Sequence, residues 1–372
     1  GGLRLKALTL RAKEKICLQE QVNCTPAACP YAQGHFDRVN GALMEILETT
    51  DLITPEAVLA CAKTHRVCPH EFALDISEWA DLVIGDYNHV FDPRACLKRF
   101  FQEPAGDSYV FLIDEAHNLP DRVRAMYTAS VEKAPFSRLP RALTEKDART
   151  KRLKSAMRKV NAHLLALQKD HTAEGEWASP QPDAALSPLL LEFTGAAEPW
   201  LAERQAHPLH GEVLSLYFEM LAFSSILSGY GDHYRTIFRV RGTDVRVTLY
   251  CLDPSGLIEQ KLRLARASLF FSATLTPLAY YRDMLGGKEE DGILSLPSPF
   301  DENRLLLIAH GGVSTRYADR AASVQPVCES IKEAVSGKRG NYLIFFPSHA
   351  YMRAVHEIFT GQYPHLPTLL QQ

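Results

Sequence analysis

Val110-Phe111-Leu112-Ile113 runs without a break into Asp114-Glu115-Ala116-His117. Four apolar, largely β-favouring residues in a row read as a buried strand of a parallel sheet. Two carboxylates at its C-terminal edge stand where an open α/β sheet places its ligand chemistry. The bland alternative is a solvated strand end. The pattern therefore asks for other strands to flank this one and for helices to cover it.

Such strands are present. Leu82-Val83-Ile84 reads as a buried strand leading into the loop Gly85-Asp86-Tyr87-Asn88-His89, and Leu269-Phe270-Phe271 runs into Ser272-Ala273-Thr274. Leu305–Ile308 and Tyr342–Phe346 are expected as two more, the second followed by a helix from about Ala350. Between the acidic strand end and residue 233 the chain reads as helix-rich and without strand signals. There Leu153, Ala156, Met157, Val160, Leu164 and Leu167 mark one face of a long amphipathic helix. Phe238 and Val240 then alternate with Arg239 and Arg241, and Val245, Val247 and Leu249 with Arg246 and Thr248, around a turn at Gly242-Thr243-Asp244. Strands interleaved with helices, and interrupted by a helical block, predict a parallel α/β core carrying insertions.

A second segment, Cys17 to Cys68, has a different character. Cys17, Cys24, Cys29 and Cys68 are spaced C-x6-C-x4-C-x38-C in a short, polar stretch. Phe36, Val39, Leu43, Ile46 and Leu47 keep helical spacing inside it, and Thr54-Pro55-Glu56 reads as the cap, first-turn proline and first-turn acid of another helix. Four thiolates can hold zinc or an iron–sulfur cluster. Zinc favours tight C-x2-4-C pairs, which are absent, so the spacing leans toward iron–sulfur without excluding zinc. Ligation would supply stability that so small a segment lacks. Cys61, Cys96, Cys251 and Cys328 read as packed thiols.

Length and charge narrow the classes further. The chain has 372 residues, enough for two or more domains. With 41 Lys and Arg against 44 Asp and Glu, the net charge is -3, so the chain as a whole is no polycation. Nucleic-acid affinity would have to come from local patches. Lys13 and Lys15 beside Cys17, and the run containing Arg152 and Arg158, are candidates for phosphate contact; a solvated helix face is the alternative for the run. Tyr87 on its loop could stack on bases, with packing as the alternative. No apolar run reaches transmembrane length, and no signal peptide opens the chain. No G-x-x-x-x-G-K-[ST] phosphate cradle occurs. The chain opens Gly1-Gly2 without Met, and an internal fragment is expected.

Taken in order, these motifs resemble the iron–sulfur superfamily 2 DNA helicases of the XPD and DinG group. The resemblance rests on Cys17, Cys24, Cys29 and Cys68-Pro69-x-Glu71, on Ala80 to Asn88, on Asp114-Glu115-Ala116-His117, on Leu252-Asp253-Pro254-Ser255, on Ser272-Ala273-Thr274 and on Asn341 to Ser348. It implies RecA-like parallel sheet domains with an iron–sulfur cluster insertion and a mostly helical arch insertion. The implied division is 1–16, 72–122 and 234–300 for the first RecA-like domain, 17–71 for the cluster, 123–233 for the arch and 301–372 for the start of a second RecA-like domain. It implies an ATP-driven translocase on single-stranded and forked DNA, moving 5′→3′, with ATP, Mg²⁺ and a 4Fe-4S cluster as cofactors. Asp114 would hold Mg²⁺ and Glu115 would activate water. His117, Ser272 and Thr274 would couple hydrolysis to domain movement. Lys13, Lys15, Tyr87, Asn88, Arg152 and Arg158 would meet DNA. A cytoplasmic, monomeric DNA-repair enzyme is the corresponding expectation. A non-enzymatic cluster-bearing single-strand binding module and a zinc-containing RNA-remodelling protein are the alternatives.

Overall fold

Of the strands expected around the acidic motif, the one before Ser272-Ala273-Thr274 forms beside it, and the one at Leu82-Val83-Ile84 forms in a separate sheet. The structure is a computed structural model. It describes residues 5–20, 22–24, 28–101, 109–170, 175–301, 303 and 306–371. The chain divides into two units, 1–293 and 294–372.

The first unit opens with β1 (Ala7–Thr9) and a one-turn helix, α1 (Lys13–Ile16). Helix α2 (His35–Thr49), β2 (Leu52–Ile53), α3 (Pro55–His65) and α4 (Pro69–Ile76) lead to β3 (Leu82–Ile84). Strand β1 lies between β2 and β3, parallel to both, with Leu8 opposite Ile53 and Val83. The helices cover these strands because their apolar residues recur at helical spacing: Val39, Ile46, Val58, Phe72 and Ile76 are buried around Leu8. Phe36, expected on that face, is instead 83% exposed, because the buried stripe of α2 runs through His35, Val39, Ala42 and Ile46 and Phe36 lies one position off it. Helix α3 starts as its sequence dictates: the Thr54 hydroxyl accepts the Ala57 N–H at 3.3 Å, with Pro55 in the first turn.

Two one-turn helices, α5 (Asn88–Phe91) and α6 (Lys98–Phe101), precede β4 (Val110–Ile113), which α7 (Leu119–Met126) follows. A large excursion comes next: β5 (Ala129–Glu132), α8 (Lys133–Ala142), α9 (Ala148–Asp170), β6 (Gly175–Ser179), α10 (Leu186–Glu203), α11 (His210–Ser228), β7 (Tyr234–Arg241) and β8 (Asp244–Cys251). The chain returns through α12 (Ser255–Leu262) to β9 (Ala267–Phe270) and α13 (Leu278–Met284). Strands β4 and β9 pair in parallel, Leu112 opposite Leu269.

The excursion is not purely helical. It holds an antiparallel sheet in the order β5-β8-β7-β6. The sequence reading of 121–233 as strandless missed β5 and β6. Both are short edge strands whose order comes from pairing to the β7–β8 hairpin, not from a strong strand pattern of their own. The hairpin turn is two residues, Gly242-Thr243, since Arg241 already pairs with Asp244. Gly242 takes the positive φ of 54° that such a turn requires. Helices α8 to α11 pack on one face of this sheet around Phe136, Met157, Phe193, Trp200 and Phe223. The expected face of α9 is the buried one, from Leu153 to Leu164.

The second unit contains α14 (Arg320–Gly337) and α15 (His349–Gln362), packed around Cys328, Tyr351 and Val355. Residues 306–308 and 342–346 are not strands, contrary to expectation; Leu305 lies outside the described residues. Leu307 and Phe345 are 86% and 85% exposed. A parallel strand exists only beside a partner, and among the described residues this unit offers none. No helix among the described residues is long and apolar enough to cross a membrane.

Phe193 is fully buried and meets Phe136 edge-on at 5.3 Å between ring centres. Replacing Phe193 with Ala is expected to destabilise the helical block by about 3–5 kcal/mol. Urea titration followed by circular dichroism checks this, and a change below about 1 kcal/mol would contradict the packing described.

Candidate functional site

At the end of β4 the chain turns through Asp114 and Glu115. Glu115 has φ 46° and ψ 40°, a left-handed conformation uncommon for a residue with a side chain. The Glu115 N–H donates to the Asp114 carboxylate at 2.7 Å, and the Ala116 N–H donates to the Phe271 carbonyl at 3.2 Å. The turn is thus held to the end of β9. Both carboxylates are exposed.

Because β4 and β9 run side by side in one direction, Ser272-Ala273-Thr274 emerges next to this turn. His117 Nδ1 lies 2.8 Å from Ser272 Oγ and 3.3 Å from Glu115 Oε2. Ser272 Oγ also lies 3.3 Å from Glu115 Oε2 and 3.2 Å from Thr274 Oγ1, and it accepts the Thr274 N–H at 3.2 Å. A serine hydroxyl has one proton. With His117 Nδ1 protonated and donating to Ser272, that proton is left for Glu115. Five sequence-selected residues therefore converge: Asp114, Glu115, His117, Ser272 and Thr274. A group changing charge beside Glu115 acts on Ser272 and His117 through this network.

Tyr87 also reaches the turn. Its hydroxyl donates to the Asp114 carbonyl at 2.5 Å and the Glu115 carbonyl at 3.0 Å. Its ring is half-buried against the apolar cluster that contains Phe91, Ile113 and Leu119. Asn88 opens α5, with its N–H on the Asp86 carboxylate at 3.0 Å. Gly85 is required sterically. A Cβ there would lie 2.4 Å from His89 Nδ1, a ring whose burial lowers its pKa. Gly85→Ala should displace His89 and open the loop. Amide exchange across 86–91 is expected to quicken about ten-fold or more, as for about 1–3 kcal/mol of overpacking. Unchanged exchange would show that the ring gives way freely.

Two of the four cysteines cap helices at the start of α4, and Cys24 and Cys29 lie in the loop between α1 and α2. Cys68 caps α4 itself, and Cys17 caps the end of α1, which is tied to α4 by Lys13–Glu71 at 3.6 Å. The His70 side chain bonds the Glu71 carboxyl and, with the Lys13 charge, holds its pKa at about 2. Bracing of α1 by Glu71 is therefore complete above the ordinary value of 4.5 and lost as pH falls through about 2. The turn after Cys29 delivers His35, whose Nδ1 accepts the Cys68 N–H at 3.2 Å. Arg38 locks the two segments together, donating to the carbonyls of Gln33 at 2.7 Å, His65 at 3.1 Å and Arg66 at 2.6 Å. Burial raises the Cys68 thiol, while N–H groups of Glu71 and His70 directed at its sulfur oppose that rise; Cys24 is close enough to act on it by charge.

This donor set fits a thiolate-bound inorganic group. Backbone donors already face Cys68, and they would stabilise a ligating thiolate. Among the described residues no three of these sulfurs lie within 4.8 Å of one another. Four sulfurs around one zinc would be about 3.8 Å apart, given Zn–S bonds of about 2.3 Å. A different trio does converge within 4.8 Å: Glu45, Cys61 and His65. His65 Nε2 pairs with Glu45 at 2.7 Å, and Cys61 Sγ faces the Ala42 carbonyl at 3.6 Å, so the trio ties α3 to α2.

The basic candidates separate. Lys15 is exposed, and Lys13 is engaged with Glu71. Arg152 and Arg158 are exposed on α9, away from its buried face. The structure adds a basic depression of about 300 Å³ lined by Arg239, Arg241, Asp244 and Arg246 on the β7–β8 hairpin. The Arg alternation of that hairpin was its sequence signal. His35 and Arg38 had no such signal, because their roles are set by backbone atoms of distant segments.

The geometry is that of parallel α/β strands with an acidic strand end hydrogen-bonded to a neighbouring Ser-Ala-Thr turn. Residues 4–135 match the DEAD_2 family model. It is 26% identical over 126 residues to a Fanconi anemia group J protein homolog from Gallus gallus, covering 34% of this chain and 10% of that relative. The match thus takes in a small part of the relative's length. Xpd4 of S. tokodaii aligns with TM-score 0.43 at 15% identity over 77% of this chain and 58% of its own. A truncated XPD aligns with TM-score 0.44 at 15% identity over 76% and 77%.

Proposed function

We propose that this chain is part of an ATP-driven translocase that moves 5′→3′ on single-stranded DNA and opens forked duplex. The observation that carries the reading is the hydrogen-bonded set Glu115–Ser272–His117–Thr274, which joins two strand ends into one responsive unit. In this reading Asp114 holds the Mg²⁺ of bound ATP and Glu115 takes a proton from the attacking water. Ser272 and His117 hold the Glu115 carboxylate in line. When charge at Glu115 changes, the hydroxyl of Ser272 redistributes its bond, and Thr274 passes the change to the segment beyond it.

Cys17, Cys24, Cys29 and Cys68 would hold a 4Fe-4S cluster, which supplies a rigid covalent brace for a small insertion when bound. Lys15, Asn88, Arg152 and Arg158 supply positive or hydrogen-bonding contacts for the strand, with Lys13 available after exchange with Glu71. What supports the cluster reading is the link between α1 and α4, the helices that Cys17 and Cys68 cap, and the donors already facing Cys68.

In protein expressed from the full reading frame, Glu115→Gln should lower DNA-stimulated ATP turnover by about 100-fold or more while oligonucleotide binding persists. Undiminished turnover would refute the role given to Glu115. Cys29→Ser should strip iron and acid-labile sulfide from anaerobically purified protein and impair unwinding more than ATP hydrolysis. Wild-type protein that carries zinc and no iron would end the cluster assignment.

A further inference from the structure

We infer that Tyr87 is a positioning residue for the Asp114–Glu115 turn, so that the loop after β3 sets the aim of the Glu115 carboxylate. The inference rests on the ATPase reading above and adds a control element to it.

Three observations converge. The first is the hydroxyl itself, whose one proton is shared between the Asp114 and Glu115 carbonyls, the two that flank the Glu115 Cα, at 2.5 and 3.0 Å. The second is the backbone it grips. Glu115 sits at positive φ, where a side-chain-bearing residue stays only if its surroundings hold it. The grip is shared: Asn118 N–H also donates to the Glu115 carbonyl at 2.9 Å, and Ala116 N–H reaches Phe271. The third is a second link between the same two segments. Arg122, on the helix after the turn, pairs with Asp86 at 3.7 Å, and Asp86 neighbours Tyr87. The loop is therefore fastened by two consecutive residues, Asp86 to the helix after the acidic turn and Tyr87 to the turn itself.

Packing restrains the ring as well: it lies half-buried against the apolar cluster that contains Phe91, Ile113 and Leu119, which presents its hydroxyl to the turn. Burial, reinforced by the charges of Asp114 and Glu115, raises the phenol's pKa, so it remains a donor at neutral pH. A displacement of residues 85–89 moves the hydroxyl, and with it the peptide that orients Glu115.

Tyr87→Phe removes the hydroxyl and keeps the ring, so the packing survives. In protein from the full reading frame, with ATP and an oligo-dT strand, the substitution should lower kcat about three- to ten-fold, the worth of a lost hydrogen bond. The KM for ATP and the Kd for oligo-dT should stay within about two-fold. Amide exchange at 114–118, measured without nucleotide or DNA, should quicken by a similar factor. Unchanged kcat in an active protein would overturn the inference. So would a weakened oligo-dT Kd with unchanged kcat at saturating DNA, which would make Tyr87 a DNA contact. If the unsubstituted protein shows no DNA-dependent turnover, the ATPase reading fails instead. The exchange measurement then still decides whether Tyr87 holds the turn, and equal exchange in both proteins would refute it.

Discussion

The parallel pairing of β4 with β9 is the constraint on which the site depends. It brings residues about 155 positions apart, His117 and Ser272, to 2.8 Å. Loop closure over so long a stretch is costly in entropy unless something returns the chain to its start. The excursion does this itself. Strands β5 and β8 pair antiparallel, with Ala129 opposite Leu249, and the Thr128 hydroxyl accepts the Cys251 N–H at 3.1 Å. The exit of the insertion is thereby sewn to its entrance. An independently packed block can vary inside that seam while the ends of β4 and β9 remain adjacent.

The same logic operates at the cysteine segment, where strands β1 and β3 enclose α1 to α4. Here the seam is polar. Arg38 draws the turn after Cys29 toward the approach to Cys68, using three backbone carbonyls as acceptors. Lys13 and Glu71 tie α1 to α4. The insertion holds its shape through charge-assisted bonds as well as through the apolar layer under α2 and α3.

Much of this was legible in the sequence because strand ends and helix faces leave local marks. Val110–His117 and Leu269–Thr274 carry their own strand-and-turn pattern, and α9 carries its stripe. The Thr54-Pro55-Glu56 start of α3 is likewise local. What escaped was non-local. Edge strands β5 and β6 have weak patterns and owe their order to a hairpin that follows them by many residues. Residues 342–346 read as a strand from composition, yet a strand also needs a neighbour. Tyr87 reads from its sequence equally as a stacking ring or a packed one, because the acceptors of its hydroxyl belong to the turn after another strand. His35 and Arg38 serve backbone atoms, which no residue pattern advertises.

The central claim is that Glu115, Ser272 and His117 act as one unit across β4 and β9. A double-mutant cycle tests it most directly, using Ser272→Ala, His117→Ala and the pair, with DNA-stimulated ATP turnover as the readout. The account predicts that the double variant is no slower than the slower single variant, within about two-fold. Losses that multiply across the two positions would mean that the residues act separately, and the coupled unit described here would not exist.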